Sequence, residues 1–417
     1  FIYKSFIISF TKSLMNHDKP AVALIATMFL TIGVMFCMND ILLPIVKDLF
    51  ILDYLRATLI QVSFYIVYII WPIPIARAIE RWGYRRCIIA AMLICLAGCL
   101  LFIPAYYFTS YVLVLTGVFT ISTGVTVVNV AANPYAALLG SPEGANIRLN
   151  LVQAFSRVGY AATPLIASWL IFSGHTDQPR IHVPYLVLGT LIAIVVILMK
   201  VFRMPDHTPQ PTASESVIKM FSGSRAYPQL LLGIPTMFFY VGAEACTGGF
   251  FISYMTTHDY SYDSASGFLT LYYVLAAVFA LIGTLLLRVI RAGVLLGTFG
   301  TGMIACLMLS IWGPHPLAAY ALIAAGGFLS VMFPTVFGLA IEGLNGFREK
   351  GSALLNFAIV GGAVFPPIQG AIADNYGIDW SYIIPMVCVG VVTVYGFWSG
   401  TQFQTLRHFA SSRLRGE

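Results

Sequence analysis

Three charged side chains lie inside long apolar runs and are the first candidates for chemistry: Asp40, Arg157 and Glu244. Asp40 ends an uncharged run that starts at Pro20, and the next charge is Lys47. A carboxylate that deep in an apolar stretch of bilayer-spanning length is costly unless it faces a wet cavity, where it binds a proton, an ion or a substrate. The plainer reading leaves Asp40 solvated at a helix end, but an aspartate at that depth points to function. Desolvation favours the protonated form of a carboxylate in such a cavity. It could load a proton on one side of a membrane and release it on the other. The same group could anchor a sodium ion with neighbouring carbonyls and Asn39, and these residues alone do not choose between the two.

Uncharged polar side chains gather on the same stretches. They include Asn39; Gln61, Ser63, Tyr65 and Tyr68; Asn129 and Asn133; and Asn150, Gln153 and Ser156. Tyr240, Thr247, Tyr272, Tyr273 and Asn356 add to them later in the chain. Amides both donate and accept, which suits vicinal hydroxyls, and aromatic faces suit the C–H face of a sugar ring. Asn150, Gln153 and Arg157 recur at i, i+3 and i+7, so one helix face carries all three. Inter-helix hydrogen bonding is the competing use for any one of these amides. As a cluster beside carboxylates they read as a ligand site.

These side chains need helices to hold them. The chain of 417 residues is 59% hydrophobic and 10% charged, with a mean hydropathy of +0.86, against about 25% charged in a soluble domain. Its apolar residues form blocks of spanning length rather than the short alternating segments of a β-barrel. We read an all-α polytopic membrane protein with twelve spans, at roughly 20–46, 54–78, 84–106, 110–140, 145–173, 182–203, 228–256, 264–288, 292–313, 315–344, 350–373 and 380–403. With both termini inside, 19 Lys and Arg fall on the inner side, three (Lys47, Arg56, Arg180) on the outer side, and Arg157 within a span. That bias is the positive-inside pattern, so the net charge of +6 reports topology and not a nucleic-acid partner. The localisation expected is a multi-pass plasma membrane protein, in a bacterium the inner membrane.

The stretch 1–19 shows no cleavable leader, is broken by Lys4 and Lys12, and is expected along the inner surface. The seven cysteines fall in or beside apolar spans with no His or acidic cluster, so they read as small apolar residues. No metal site or disulfide is expected. The polar segment 204–229 divides six spans (20–203) from six more (230–403), ahead of a tail at 404–417. Pro134 and Pro334, 200 residues apart, each end a long span, as in a parallel repeat. Two six-span halves around a cavity is the architecture of a major facilitator transporter. In it, spans 1, 4, 7 and 10 line the cavity, and Asp40 and Glu244 face one another across the pseudo-twofold. Glu342 and Asp374 are expected near inner helix ends. The run ARAIERWGYRR (76–86) places Glu80, Arg81, Gly83, Arg85 and Arg86 at the inner ends of spans 2 and 3, where charge pairs and helix termini could latch a gate. Ordinary topogenic charge is the alternative there.

Several runs carry a family resemblance: CMNDILLPIVKDLF (37–50), QVSFYIVYIIWPIPIARAIERWGYRR (61–86), AGCLLFIPA (97–105), AANPYAALLG (131–140), RLNLVQAF (148–155) and YVGAEA (240–245). Over nearly the whole chain they resemble the fucose–galactose–glucose:proton symporter family of the major facilitators. The resemblance implies that Asp40 is the coupling carboxylate and that Gln153 lines the sugar site. A second carboxylate used by fucose-transporting members falls on Asn129 here, and an Asn three residues past the Gln falls on Ser156. Glu244 stands where those members have Gln, as glucose/galactose members often do.

One carboxylate is thus absent from span 4 and one is present in span 7. Glu244 could share coupling with Asp40. Arg157 could instead neutralise one of them and leave facilitated diffusion, or hold an anionic sugar. A structural pair for Arg157 is the blander use. The reading reached is a secondary transporter importing a neutral hexose or 6-deoxyhexose by alternating access, working as one chain in the bilayer. No cofactor is expected beyond H+ as coupling ion, with Na+ or uncoupled uniport as alternatives and an acidic or N-acetylated sugar as alternative cargo. A membrane sugar receptor would need an inner readout domain, and 204–229 is short. No phosphate-binding Gly loop, HExxH or nucleophile elbow suggests an enzyme.

Overall fold

The computed structural model describes residues 19–138, 145–172, 179–202, 223–224, 227–287, 289–344 and 348–413. The described residues hold helices and no strand. In order they are α1 (Lys19–Leu49), three short pieces α2 (Tyr54–Ala57), α3 (Leu59–Tyr65) and α4 (Val67–Ile70), α5 (Pro72–Tyr107), α6 (Tyr111–Leu138), α7 (Ala145–Phe172) and α8 (His182–Val201). Then come α9 (Pro228–Thr257), α10 (Tyr262–Leu286), α11 (Ala292–Trp312), α12 (Leu317–Leu329) and α13 (Met332–Ile341). The last are α14 (Arg348–Phe357), a 3-10 turn at Ala358–Val360, α15 (Gly361–Tyr376), α16 (Ile378–Ser381) and α17 (Ile383–Arg413). Among the described residues, ten helical stretches are long and apolar enough to cross a membrane. With α7, and with the broken run 54–70 that continues into α5, they make up the twelve spans.

The breaks have local causes. Gly83 has φ 79°, ψ 165° inside α5, a backbone that L side chains rarely adopt, and it separates span 2 from span 3 without a longer loop. The four-residue turns ahead of Pro72 end where Trp71 caps α5 and Pro72 enters its first turn, the position where a missing N–H is tolerated. Span 10 breaks at Ser330–Val331. Pro334 cannot bond back to Ser330, and its ring would crowd that carbonyl. The freed groups are partly met locally, with Ser330 Oγ donating to Gly327 O at 2.7 Å.

By internal contacts the chain forms two compact units. One comprises 1–52 and 69–212, the other 53–68 and 213–417. Residues 53–68, the first part of span 2, therefore pack with the second unit rather than with the spans that flank them in sequence. In the first unit α1 packs on α7, and α5 on α6 and α8, with the Phe102 and Tyr185 rings stacked at 3.5 Å. In the second, α9 packs on α15 and α17, and α11 on α12 and α17. Of the expected segments, 1–18 and most of 204–229 lie outside the described residues, and α17 runs on to Arg413.

Asp374 is at the other end of span 11 from the one expected. It closes α15, far from Lys350, and its two oxygens accept from the backbone N–H groups of Tyr54 (2.8 Å) and Leu55 (2.9 Å). It thus shares a membrane face with the loop between spans 1 and 2. The expectation failed because it ignored the direction of span 11.

Candidate functional site

In the first unit the site is built around one close helix crossing. A side chain at Gly33 of α1 would overlap the Ser156 carbonyl of α7, and one at Gly159 would overlap the Leu30 carbonyl. Two glycines thus bring the backbones of spans 1 and 5 into contact, the small-residue packing expected between helices in lipid. One turn on, the Phe36 and Tyr160 rings stack at 5.9 Å. Asp40 lies a further turn along α1, within a run (37–46) that is buried at every residue, and is itself 8% exposed.

The second unit repeats the device with the glycine moved to the other helix. A side chain at Gly361 of span 11 would overlap the Phe238 carbonyl of α9, and Gly242 lies against the Phe365 ring. Phe365 also contacts the Phe238 and Phe239 rings at 5.2 and 5.1 Å. Gly33 precedes Asp40 by seven residues and Phe238 precedes Glu244 by six. Each carboxylate is therefore about 10 Å along its helix from its own unit's crossing. The two positions are equivalent within their units to one residue.

Their environments differ. From Tyr240 to Met255 every residue of α9 is buried except Glu244, which is partly exposed. One carboxylate is thus enclosed and the other reaches an accessible surface through an otherwise sealed helix.

Span 5 has two distinct faces. Phe155, Val158, Leu165, Ile166 and Trp169 form an exposed apolar row, the surface expected toward lipid. Gln153 is also exposed but lies on the opposite side of the helix, and Arg157, half-buried, shares that side. Ser156 is buried against α1. The crossing separates Gln153 from Asp40. One is three residues below Ser156 and the other seven above Gly33, roughly 15 Å apart along the helix axes. The α1–α7 crossing lies between the two positions.

Asn129 is half-buried on α6, one helical repeat from Ser122 and Thr126, both fully buried. Asn39 is buried beside Asp40. The side chains of Asn133 and Asn150 lie outside the described residues. Tyr240 is buried and its ring lies 5.9 Å from Phe333, which stacks on Phe337. Tyr65 is found in the second unit, its ring against Gly362 and its neighbours Phe64 and Tyr68 at 5.2 and 6.4 Å. Asn356 is half-buried just ahead of the 3-10 turn that interrupts span 11. At the loop between spans 2 and 3, Glu80 and Arg85 are half-buried, Arg81 and Arg86 exposed, and Gly83 buried.

The sequence reading missed the Phe238–Phe239–Phe365 cluster and the Ala358–Val360 turn. The run GGAVFPP after Val360 was the available signal, since two glycines and two prolines weaken a helix at that point.

Comparison with known proteins agrees with this architecture. The profile of the Major Facilitator Superfamily matches residues 24–359. Over 396 residues the chain is 34% identical to the glucose/galactose transporter of Brucella abortus biovar 1, covering 93% of this chain and 95% of that one. It is 27% identical over 404 residues to the L-fucose-proton symporter of Escherichia coli, covering 89% and 91%. A crystal structure of the Escherichia coli fucose:proton symporter superposes with a TM-score of 0.68 at 25% identity, over 91% of this chain and 98% of that one. With twelve spans, a crossing repeated in each half and these relatives, the chain belongs to the Major Facilitator Superfamily, in its fucose–galactose–glucose symporter family, a family of transporters and not of enzymes.

Proposed function

We propose that this protein is a secondary transporter that takes up a monosaccharide together with a proton by alternating access in the bacterial inner membrane, working as a single chain. The observation that carries the reading is the pair of carboxylates at equivalent positions above the two helix crossings, Asp40 enclosed and Glu244 accessible. Such residues inside spans bind and release ions or substrates. The relatives named as glucose/galactose transporters and L-fucose-proton symporters support both the cargo and the ion. Gln153, on the non-lipid face of span 5, supplies amide hydrogen bonds to sugar hydroxyls. Tyr240 and its aromatic neighbours supply apolar surface. Asp40 holds the coupling proton, and Glu244 replaces the carboxylate that Asn129 lacks.

The test is uptake of labelled glucose, galactose or fucose into proteoliposomes under an imposed proton gradient, or a sodium gradient alone. Accumulation above equilibrium with the proton gradient supports the reading. Accumulation with sodium only, or equilibration without accumulation, refutes proton coupling.

A second reading concerns cargo. Arg157 shares the non-lipid face of span 5 with Gln153, and a guanidinium there suits a carboxylate. Competition by a uronic acid stronger than that by its neutral parent sugar would favour an acidic monosaccharide.

A further inference from the structure

A cluster of ionisable side chains that the transport reading does not use lies at the end of the second unit. His258 caps α9 just past Thr257. Its Nδ1 is 2.8 Å from the Tyr254 carbonyl, and its Nε2 is 3.2 Å from Asp379 Oδ1 in α16. The His315 ring, in the turn between α11 and α12, lies 3.9 Å from the His258 ring, and the Tyr254 ring lies 4.6 Å from it. Tyr382 meets Tyr254 edge-on at 5.2 Å. The charge bias of the loops assigns this face to the outside.

The geometry constrains protons. A carbonyl only accepts, so the 2.8 Å contact requires a proton on His258 Nδ1. In the neutral ring Nε2 is then a lone pair, pointed at a carboxylate oxygen that is itself buried and has no hydrogen-bond donor among the described residues. Two acceptors at 3.2 Å repel. A second proton, at Nε2, turns the same contact into an ion pair and gives Asp379 Oδ1 a donor. This arrangement therefore matches the imidazolium form.

We propose that His258, Asp379 and His315 form a proton-binding latch tying the ends of spans 7, 9–10 and 12. The tie extends inward. Tyr254 Oη donates to Ser310 O at 2.8 Å, and Ser310 Oγ to Ala318 O at 3.2 Å, joining span 7 to spans 9 and 10. Span 7 is the helix that carries Glu244, so the latch fixes one end of the proposed coupling helix. That consequence rests on the transport reading, whereas the latch itself does not.

Two titrations act with opposite sign. The His258–Asp379 contact is attractive with a proton on Nε2 and repulsive without it. Burial, then the His258 charge, push the His315 pKa below the usual imidazole value, with Asp379 partly opposing. A base held below its usual value contributes stability that is lost as pH falls through the lowered value, because the folded state resists that proton. The other titratable groups around the rings are Tyr254 from α9, Asp259 and Tyr260 from the turn after it, and Tyr382 beside α16. The latch is tightest with one proton on the histidine pair.

Thermal unfolding of the purified full chain in detergent, at intervals from about pH 4.5 to 8.5, tests this. Because Asp379 is 40% exposed, the effect is modest. The midpoint should pass through a maximum and fall by about 1–3 °C on its alkaline side. H258Q should lose that alkaline fall. D379N should lose it too while staying above H258Q at alkaline pH, since its amide can donate to the neutral Nε2. H315F should lose the acid fall only. Parallel profiles for the wild type, H258Q and D379N would overturn the proposal. If H258Q does not fold, D379N decides alone: an unchanged alkaline slope rejects the latch. Neither outcome depends on sugar or proton flux, so failure here leaves the uptake experiment to judge transport separately.

Discussion

Placing a methyl group at Gly361 isolates the contribution of the span 7–span 11 crossing. A Cβ at this position would lie 2.8 Å from the Phe238 carbonyl carbon and nearer still to its oxygen. Carbon–carbon contacts settle at about 3.5–4.0 Å, so the helices must part by roughly 1 Å or the Phe238 peptide must tilt. Overpacking of this kind costs about 1–3 kcal/mol. In a chain this large that corresponds to a midpoint lowered by roughly 1–3 °C. Gly390 of α17 is the control, because a Cβ there meets nothing within 4 Å. Alanine in a helix interior is favoured over glycine by about 0.5–1 kcal/mol, so G390A should unfold at the same temperature or slightly higher. The assay is thermal unfolding of each variant, purified in the same detergent, by intrinsic fluorescence. If G361A and G390A shift the midpoint equally, or G361A raises it, the argument that backbone contact at this crossing holds the second unit together is wrong.

Other outcomes follow from the same geometry. Cysteine at Glu244, in a chain stripped of its seven cysteines, should react with a small polar thiol reagent at least tenfold faster than cysteine at Ala243 or Ala245, both buried; equal rates would remove the claim that Glu244 alone is accessible. Asp40→Asn should abolish accumulation driven by a proton gradient while leaving sugar exchange measurable, and retained accumulation in proteoliposomes would reassign the coupling group. Gln153→Ala should weaken sugar binding tenfold or more in a thermal-shift titration, whereas Val158→Ala, on the exposed apolar row, should leave it unchanged. Asp374→Ala removes the acceptor of two backbone N–H groups at an exposed helix start and should lower the unfolding midpoint by only about 1–2 °C.

The spans and the burial of Asp40 were legible because membrane length acts on composition, which a sequence displays directly, whereas the placing of 53–68 with the second unit was not. Asp40 could be singled out as a buried charge without any knowledge of its neighbours. The crossings were not legible. Gly33 and Gly159, or Gly361 and Gly242, are four among 36 glycines, and nothing local marks which of them touch another backbone. Chain direction was available but misapplied to Asp374, whose partners Tyr54 and Leu55 lie 320 and 319 residues away. The broken run 54–70 was read as an ordinary span because its apolar content is right. Its packing with span 11, through Tyr65 on Gly362 and the Tyr54–Leu55 backbone on Gly370, depends on partners some 300 residues away.

The two units solve one packing problem with different residues, and that difference bears on how the carboxylates divide their work. In the first unit both glycines serve the backbone contact, so α1 seats deeply and Asp40 is enclosed along with its neighbours. In the second, Gly242 is filled by the Phe365 ring rather than by backbone, and only Gly361 gives a backbone contact. A ring in the seam can rotate or slide where two peptide backbones cannot, and the 3-10 turn directly ahead of Gly361 offers span 11 a weak point at the same height. This crossing therefore has one glycine–backbone contact where that of α1 and α7 has two, and Glu244, about 9 Å further along α9, is partly exposed. On the transport proposed above, proton entry at Glu244 followed by a change that exposes Asp40 would fit this asymmetry better than the reverse order. Combining G361A with Asp40→Asn discriminates between them. If exposure of Asp40 requires the span 7–span 11 seam to rearrange, stiffening or displacing that seam should slow proton-driven uptake in the parent but add nothing to the loss in Asp40→Asn. Additive losses would place the two steps on separate routes.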